Sequence, residues 1–217
     1  MFKPLLALGL LAAVAMPVLA QDYPKVEIGL GYSYVHANVT AKDKMVTPSI
    51  SATQSFDLHG GGGNIAYNPT RSIGLVADFA GYDVTGLPKG TGASATLFTY
   101  LFGPRYTYRG NERVQPFVHA LFGGAHIGAS VSTTVINDAV TPQAIITPVN
   151  AFGTSSNAFA MAIGGGLDVK LANHIALRLF EGDYLLTRFE TTLNSSGKLE
   201  AANQNHFRFV TGLQFRF

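Results

Sequence analysis

The sequence contains no cysteine and no tryptophan, and only 13% of its residues are charged. Without cysteine, the chain can have no lipoprotein anchor, no disulfide framework, no thiolate metal ligand and no thiol nucleophile. The charged fraction is about half the usual ~25% of globular proteins. Apolar residues nevertheless make up 47% of the chain, and no long apolar run follows the first twenty residues. This combination suggests that apolar residues alternate with polar ones in strands.

The first twenty residues have the pattern of a secretory signal peptide. Lys3 precedes an apolar run, and Val18-Leu19-Ala20 forms an A-x-A-like cleavage site before Gln21. A transmembrane anchor is the alternative, but the uninterrupted apolar run is short for a hydrocarbon core of about 30 Å. We therefore predict a signal peptide at 1–20 and one domain at 21–217.

The charge of the remaining chain is nearly balanced. Fifteen Lys and Arg less Lys3 leave fourteen, against thirteen Asp and Glu. No basic stripe stands out, so a nucleic-acid partner is not expected.

Period-two alternation between turn residues predicts eight β-strands. In the last of them, HFRFVTGLQFRF, aromatic residues share one face and two arginines lie on the other. In the seventh strand the alternation slips near Glu181-Gly182-Asp183, which predicts a bulge. The predicted strands are 25–35, 56–67, 73–84, 95–108, 114–127, 158–170, 175–189 and 206–217.

The connections between these strands alternate in length. Short ones are predicted at 68–72, 110–113 and 171–174, and long ones at 36–55, 85–94, 128–157 and 190–205. Short turns at one end and long loops at the other are typical of an outer-membrane barrel with an even strand number. We predict an all-β, eight-stranded, antiparallel, up-and-down transmembrane barrel with short periplasmic turns and long extracellular loops.

A soluble eight-stranded barrel such as a lipocalin is the alternative. The face opposite the aromatic residues carries charges of both signs, which in a narrow lumen would neutralise one another. The abundant small residues on that face favour the membrane barrel, whose lumen must be packed. The predicted lumen ionic network comprises Glu27, Asp57, Asp78, Arg105, Asp168, Lys170, Arg178, Arg208 and Arg216.

An ordered set of segments resembles the small OmpA/OmpX-like outer-membrane β-barrels with a porin-like barrel domain. Its carriers are KVEIGLGYSYV, GGGGNIAYNPTRSIGLVADF, LFGPRYTYR, AIGGGLDVKL and GLQFRF. The resemblance implies residence in the outer membrane, contact with its lipid and lipopolysaccharide, and a monomer without a cofactor. It also implies that the last strand is the signal read by the barrel assembly machinery, through Phe207, Phe209, Phe215 and Phe217.

Two motifs suggest chemistry but have simpler structural explanations. HGGGGN at 59–64 resembles a phosphate-binding loop, but no Gly-Lys-Ser/Thr and no helix pattern follow, and glycines permit tight curvature in a small barrel. The six histidines form no metal-ligand pair. His126 and Ser130 loosely resemble the His and Ser that lipid A deacylases use on the barrel wall. Residues i and i+4 on a strand lie about 13 Å apart, however, so these two side chains cannot touch. We expect no catalytic or metal site.

The predicted lumen network allows a packed ionic core or a gated narrow pore. Eight strands leave an interior just wide enough for side chains, which favours the core.

The segment 128–157 is unusually apolar for a loop, so it is either an extension of two strands as a hairpin or a surface that binds a partner. The expected function is structural and surface-interactive, through membrane integrity and adhesion. A low-conductance channel is the alternative, and a lipid A-modifying enzyme a distant one.

Overall fold

The computed structural model describes residues 23–43, 50–85, 93–134, 148–193 and 199–217 and contains eight strands. Each strand pairs antiparallel with the next, and β8 pairs with β1, so the sheet closes into a barrel. This confirms the predicted fold class. Within the described residues, no helix is long and apolar enough to span a membrane. The strands are β1 Val26–Asp43, β2 Ile50–Tyr67, β3 Ile73–Thr85, β4 Ala93–Thr107, β5 Val114–Thr134, β6 Pro148–Ala172, β7 Ile175–Leu193 and β8 Leu199–Arg216.

The two ends of the barrel differ, and we name them the turn end and the loop end. At the turn end, β2 and β3, β4 and β5, and β6 and β7 are joined by a few residues each. At the loop end the strands are longer than predicted. Most of segment 36–55 is strand, and β5 and β6 continue through 128–134 and 148–157. In these parts, segment 128–157 is an extension of two strands, as the first of its two alternatives predicts. Residues 135–147 lie outside the described residues.

Alternation along the strands gives the barrel an apolar outer face. Large apolar side chains are exposed on every strand, for example Leu30 on β1, Leu75 on β3, Phe102 on β4 and Val118 on β5. Exposed aromatic residues border this face near both ends, as in the interfacial girdles of membrane barrels. They include Tyr67, Tyr106, Tyr108 and Phe217 near the turn end, and Phe98, Tyr100, Phe159, Tyr184 and Phe207 towards the loop end.

Glycines on the inner face allow neighbouring strands to approach closely. A Cβ on Gly31 would lie 2.2 Å from the carbonyl oxygen of Thr211, and one on Gly212 would lie 2.3 Å from that of Leu30. Gly60 and Gly62 of the HGGGGN segment are also confined within β2, since an added Cβ would lie 1.9 Å and 2.7 Å from the nearest carbonyl oxygen. The segment is therefore part of the barrel wall, where glycine permits tight curvature.

A bulge on β7 changes which residues face the lumen. Leu179 and Phe180 are consecutive, yet both are exposed on the outer face. The register shifts there against both β6 and β8. The extra residue lets Arg178, Glu181 and Asp183 all point inward, although their spacing breaks simple alternation. The predicted bulge is confirmed, two residues earlier than the sequence suggested.

The lumen is filled with side chains of two kinds. Towards the turn end it is ionic. Towards the loop end it holds a group of buried apolar side chains, which we call the apolar plug. Leu101 and Leu185 in this group are completely buried and Leu121 is 1% exposed, so the interior is packed at the level of these residues. The apolar plug consists of Val35, Leu58, Leu97, Leu101, Leu121 and Leu185.

Candidate functional site: the ionic lumen

Charged side chains fill the lumen near the short turns, and we call them the turn-end cluster: Glu27, Arg105, Arg109, Asp168 and Arg216, all buried. Glu27 accepts hydrogen bonds from Arg105 Nη2 and, over 2.9 Å, from Arg109 Nη2. Arg216 Nε lies 3.6 Å from Glu27 Oε1. Arg216 Nη2 also donates to Asp168 Oδ2 over 3.4 Å. One carboxylate thus faces three guanidinium groups.

A second group, the central cluster, lies between the turn-end cluster and the apolar plug. It consists of Asp78, His119, Glu181, Asp183 and Arg208, and all are buried. Arg208 donates through Nη1 to Asp78 Oδ1 over 2.6 Å and through Nε to Asp183 Oδ2 over 2.7 Å. Its Nη2 lies 3.2 Å from Glu181 Oε1. His119 Nε2 lies 2.8 Å from Asp183 Oδ1.

Arg178 joins the two clusters. Its Nε donates to Asp168 Oδ1 over 2.9 Å, and its Nη1 donates to Glu181 Oε2 over 2.5 Å. The guanidinium carbon lies 4.4 Å from the centroid of the Phe117 ring, a cation–π contact. The result is one continuous network along the lower half of the lumen.

The network is charge-balanced as a whole but uneven along the barrel axis. Among the described residues, five buried arginines face five buried carboxylates in the lumen. The turn-end cluster has three arginines for two carboxylates, and the central cluster together with Arg178 has two arginines for three carboxylates. Each buried charge therefore has an opposite partner, which offsets the large free-energy cost of removing it from water.

The structure brings together seven of the nine residues that the sequence suggested for this network. Asp57 is not among them, since its side chain is 54% exposed and lies 2.8 Å from His36 Nδ1 on the outer face. This corrects the sequence-based expectation. Near the loop end Leu58 of the apolar plug faces inward, so its neighbour Asp57 must face outward. Lys170 lines the space at the turn end but forms no ion pair with a described residue.

Sequence reasoning missed four members of the network. Arg109 continues the alternation of Arg105 and Thr107 beyond the end of β4, a signal that was available. Glu181 and Asp183 follow the bulge, so their phase could not be deduced from the start of β7. His119 shares the inner face of β5 with Phe117 and Leu121, and only the fold places it beside Asp183.

Of the four aromatic residues suggested as an assembly signal, Phe207, Phe209 and Phe215 lie on the outer face of β8, and Phe217 directly follows this strand. Phe207 and Phe217 are exposed, and Phe209 and Phe215 are half-buried. β8 pairs with β1 from Ala37 to Glu27, so this strand closes the barrel.

Groups that could support chemistry are already occupied by other contacts. His119, Glu181 and Asp183 each offer a ligand atom, all within 4.8 Å of one another. Both carboxylates, however, accept hydrogen bonds from arginines. His126 Nδ1 lies 2.8 Å from Asn157 Oδ1, and the side chain of Ser130 lies outside the described side chains. The arrangement of the central cluster is that of an ion-pair network.

Two spaces are associated with the network. A cavity of about 10 Å³ lies between the central cluster and the inner-face glycines, lined by Asn64, Asp78, Arg208 and Gln214 among others. It has room for about one water molecule. A larger space of about 340 Å³ opens at the turn end, and we call it the turn-end vestibule. It is lined by Pro24, Arg71, Arg109, Asn111, Glu112, Gln115, Lys170, Asn173 and Arg216.

Solved structures with the same fold include outer-membrane proteins from two genera. Neisserial surface protein A is 11% identical with a TM-score of 0.54, over 91% of this chain and 100% of its own. The attachment invasion locus protein Ail of Yersinia pestis, in complex with the heparin analogue sucrose octasulfate, is 14% identical with a TM-score of 0.51. That match covers 89% of this chain and 99% of Ail. These likenesses show the fold alone.

Among proteins with curated functions, none matches this sequence. Residues 6–217, which are nearly the whole chain, match the family described as outer membrane protein beta-barrel domain. Together with the eight-stranded barrel and its apolar outer face, this match places the protein in the outer membrane. The chain belongs to the outer membrane protein beta-barrel domain family.

Proposed function

We propose that this protein is a closed outer-membrane barrel with a structural and surface-interaction role, and that it does not conduct solutes. The observation that carries the proposal is the apolar plug. Leu101, Leu121 and Leu185 are almost completely buried inside the barrel, so water would have to cross a layer of packed side chains. Below this layer, the cavity beside Asp78 and Arg208 has room for about one water molecule.

With the lumen closed, the remaining surfaces for function are the outer face and the two ends. The outer face meets lipid, and it meets lipopolysaccharide where the barrel faces the cell exterior. At the loop end, the hairpin of β5 and β6 extends furthest, and we propose segment 128–157 as the surface that contacts an extracellular partner. A strand edge exposed there could bind such a partner by β-augmentation. The role is therefore membrane integrity and adhesion, with no catalytic step.

Biogenesis is part of this proposal. Residues 1–20 act as a signal peptide that is cleaved before Gln21, leaving 21–217 as one barrel domain. The outward aromatic face of β8 then engages the barrel assembly machinery by strand pairing. The folded barrel works as a monomer without a cofactor.

The conductance of a planar lipid bilayer tests the closed lumen. The mature barrel, with folding confirmed by its heat-dependent mobility in gel electrophoresis, should give no discrete current steps in simple salt. A variant with Leu101→Gly and Leu185→Gly should give them, because these changes remove two buried side chains of the apolar plug. This variant shows that the assay would detect an open lumen.

The contrary outcome defines the alternative function. Reproducible current steps from the unchanged protein, altered by Arg105→Ala or Asp78→Ala, would show that ion pairs exchange partners and open a narrow channel. The proposal of a closed barrel would then be abandoned for a low-conductance pore.

A further inference from the structure

The turn-end vestibule has more positive than negative charge on its walls. Arg71, Arg109, Lys170 and Arg216 line it, against Glu112 alone. Glu27 lies behind the wall and is shared by three arginines. The central cluster together with Arg178 has one more carboxylate than arginines. The excess of positive charge in the lumen therefore lies at the turn end.

Two of these cations have no carboxylate partner in the part of the chain that the structure describes. The Lys170 ammonium makes no hydrogen bond or ion pair there. The Arg71 guanidinium donates only to the backbone carbonyl of Arg109, over 2.9 Å. Arg71 lines the vestibule, and charge-assisted hydrogen bonds from its guanidinium group to an anion there would be strong.

Buried polar atoms at the base of the vestibule also lack partners. Arg109 Nε and Gln115 Oε1 are inaccessible to solvent and form no hydrogen bond. An unsatisfied polar group in such a place calls for an explanation such as a missing ligand or water. Gln115 is 7% exposed and Arg109 6% exposed, so both are built into the barrel wall.

From this arrangement we infer that the turn-end vestibule binds a small soluble molecule that carries a phosphate group. Arginine forks match phosphate oxygens in pairs, and lysine adds a point charge. The volume of about 340 Å³ lies at the small end of the ~300–1,000 Å³ range of ligand pockets. The site faces the periplasm and is independent of the role proposed for the loop end.

Titration calorimetry with inorganic pyrophosphate tests the inference, using the intact mature barrel in nanodiscs of phosphatidylcholine. We expect saturable binding with one site per barrel. Lys170→Gln should weaken it about tenfold, the effect of losing one charge-assisted hydrogen bond. Asn173→Asp, a change in an exposed turn that should not affect folding, should weaken it similarly by adding a negative charge to the wall.

The control is Arg113→Gln. Arg113 is exposed in the turn between β4 and β5, but its side chain does not line the vestibule. This variant removes the same charge as Lys170→Gln and should change affinity less than about twofold. If both variants weakened pyrophosphate binding equally, the binding would come from the overall positive field of this end of the barrel and not from a defined site. That result would overturn the inference. Absence of saturable binding to the unchanged barrel would overturn it as well.

A second arm separates the two sources of phosphate. The titration is repeated in nanodiscs that contain phosphatidylglycerol. Unchanged pyrophosphate affinity supports a soluble ligand that enters along the barrel axis. Competition by the lipid, lost in Lys170→Gln, would show that the vestibule takes phosphate from lipid headgroups and would overturn the assignment to a soluble molecule.

Discussion

Arg208 on β8 and Asp78 on β3 form a hydrogen-bonded ion pair of 2.6 Å, although their strands are not neighbours in the barrel. The bond therefore crosses the lumen. Arg208 is 1% exposed and also contacts Asp183 and Glu181 on β7. One side chain thus ties three strands together from inside the lumen.

Arg208→Ala should destabilise the barrel strongly. The change leaves Asp78 and Asp183 buried without their arginine partner and leaves Glu181 with Arg178 alone. Breaking a buried ion pair in this way costs roughly 3–5 kcal/mol. The measurement is the urea midpoint of unfolding in detergent micelles, followed by heat-dependent gel mobility. Arg188→Ala is the control, because Arg188 is exposed on the same barrel. A midpoint for Arg208→Ala equal to that of the control would show that the network does not stabilise the fold.

Replacing Glu27 should be more damaging than replacing Arg105. Glu27→Ala leaves three guanidinium groups close together without their shared carboxylate, whereas Arg105→Ala leaves Glu27 with Arg109 and Arg216. Both variants should lower the urea midpoint, Glu27→Ala by the larger amount, with a loss of roughly 3–5 kcal/mol. The reverse order would show that Arg105 is the dominant member of the turn-end cluster.

The apolar plug predicts different outcomes for two leucines. Leu101 is completely buried in the lumen, and Leu75 is 58% exposed on the outer face. Leu101→Ala should lower the free energy of unfolding by about 2–5 kcal/mol, because it loses apolar contact and leaves a cavity. Leu75→Ala should lower it less, since lipid or detergent chains fill the space. Equal losses, measured in the same micelles, would contradict a packed plug.

The outer face predicts a dependence on depth. Leu30 is 61% exposed near the middle of the apolar belt, and Tyr67 is 55% exposed near the turn end. An arginine costs about 2–4 kcal/mol at the bilayer midplane and about 0–1 kcal/mol near the interface. Leu30→Arg should therefore reduce folding into lipid vesicles far more than Tyr67→Arg. If both variants fold equally well, the belt does not lie at the depth inferred here.

Alternation in the sequence was sufficient to predict the barrel and most of the ionic lumen, because each strand has one apolar face. Phe102 and Arg105 on β4 illustrate this. They lie an odd number of residues apart, so Phe102 faces the lipid and Arg105 faces the lumen. The same rule misplaced Asp57, because the lumen itself becomes apolar near Leu58 and the apolar residue is then the inward one. The extent of β5 and β6 was also underestimated, since strands above the membrane need no apolar outer face.

Glu181 and Asp183 were missed for a different reason, which leads to a test of the bulge. Deleting Leu179 should leave Phe180 as a single outward residue between Arg178 and Glu181, so all inward residues keep their orientation. Thr211 Oγ1 donates to the carbonyl oxygen of Arg178 over 3.0 Å and to that of Leu179 over 3.3 Å. The deletion removes only the second, weaker acceptor. It should therefore lower stability by only about 0.5–1.5 kcal/mol.

Deleting Tyr184 is the matched control. Tyr184 stands in a regular part of β7, between the inward residues Asp183 and Leu185. Its removal turns one of these two, and every residue beyond it, to the opposite face, because a one-residue slip reverses a strand. We expect the Leu179 deletion to retain heat-dependent gel mobility and the Tyr184 deletion to lose it. If the Leu179 deletion also fails to fold, the bulge has a further role in barrel closure, through the local twist that bulges impose.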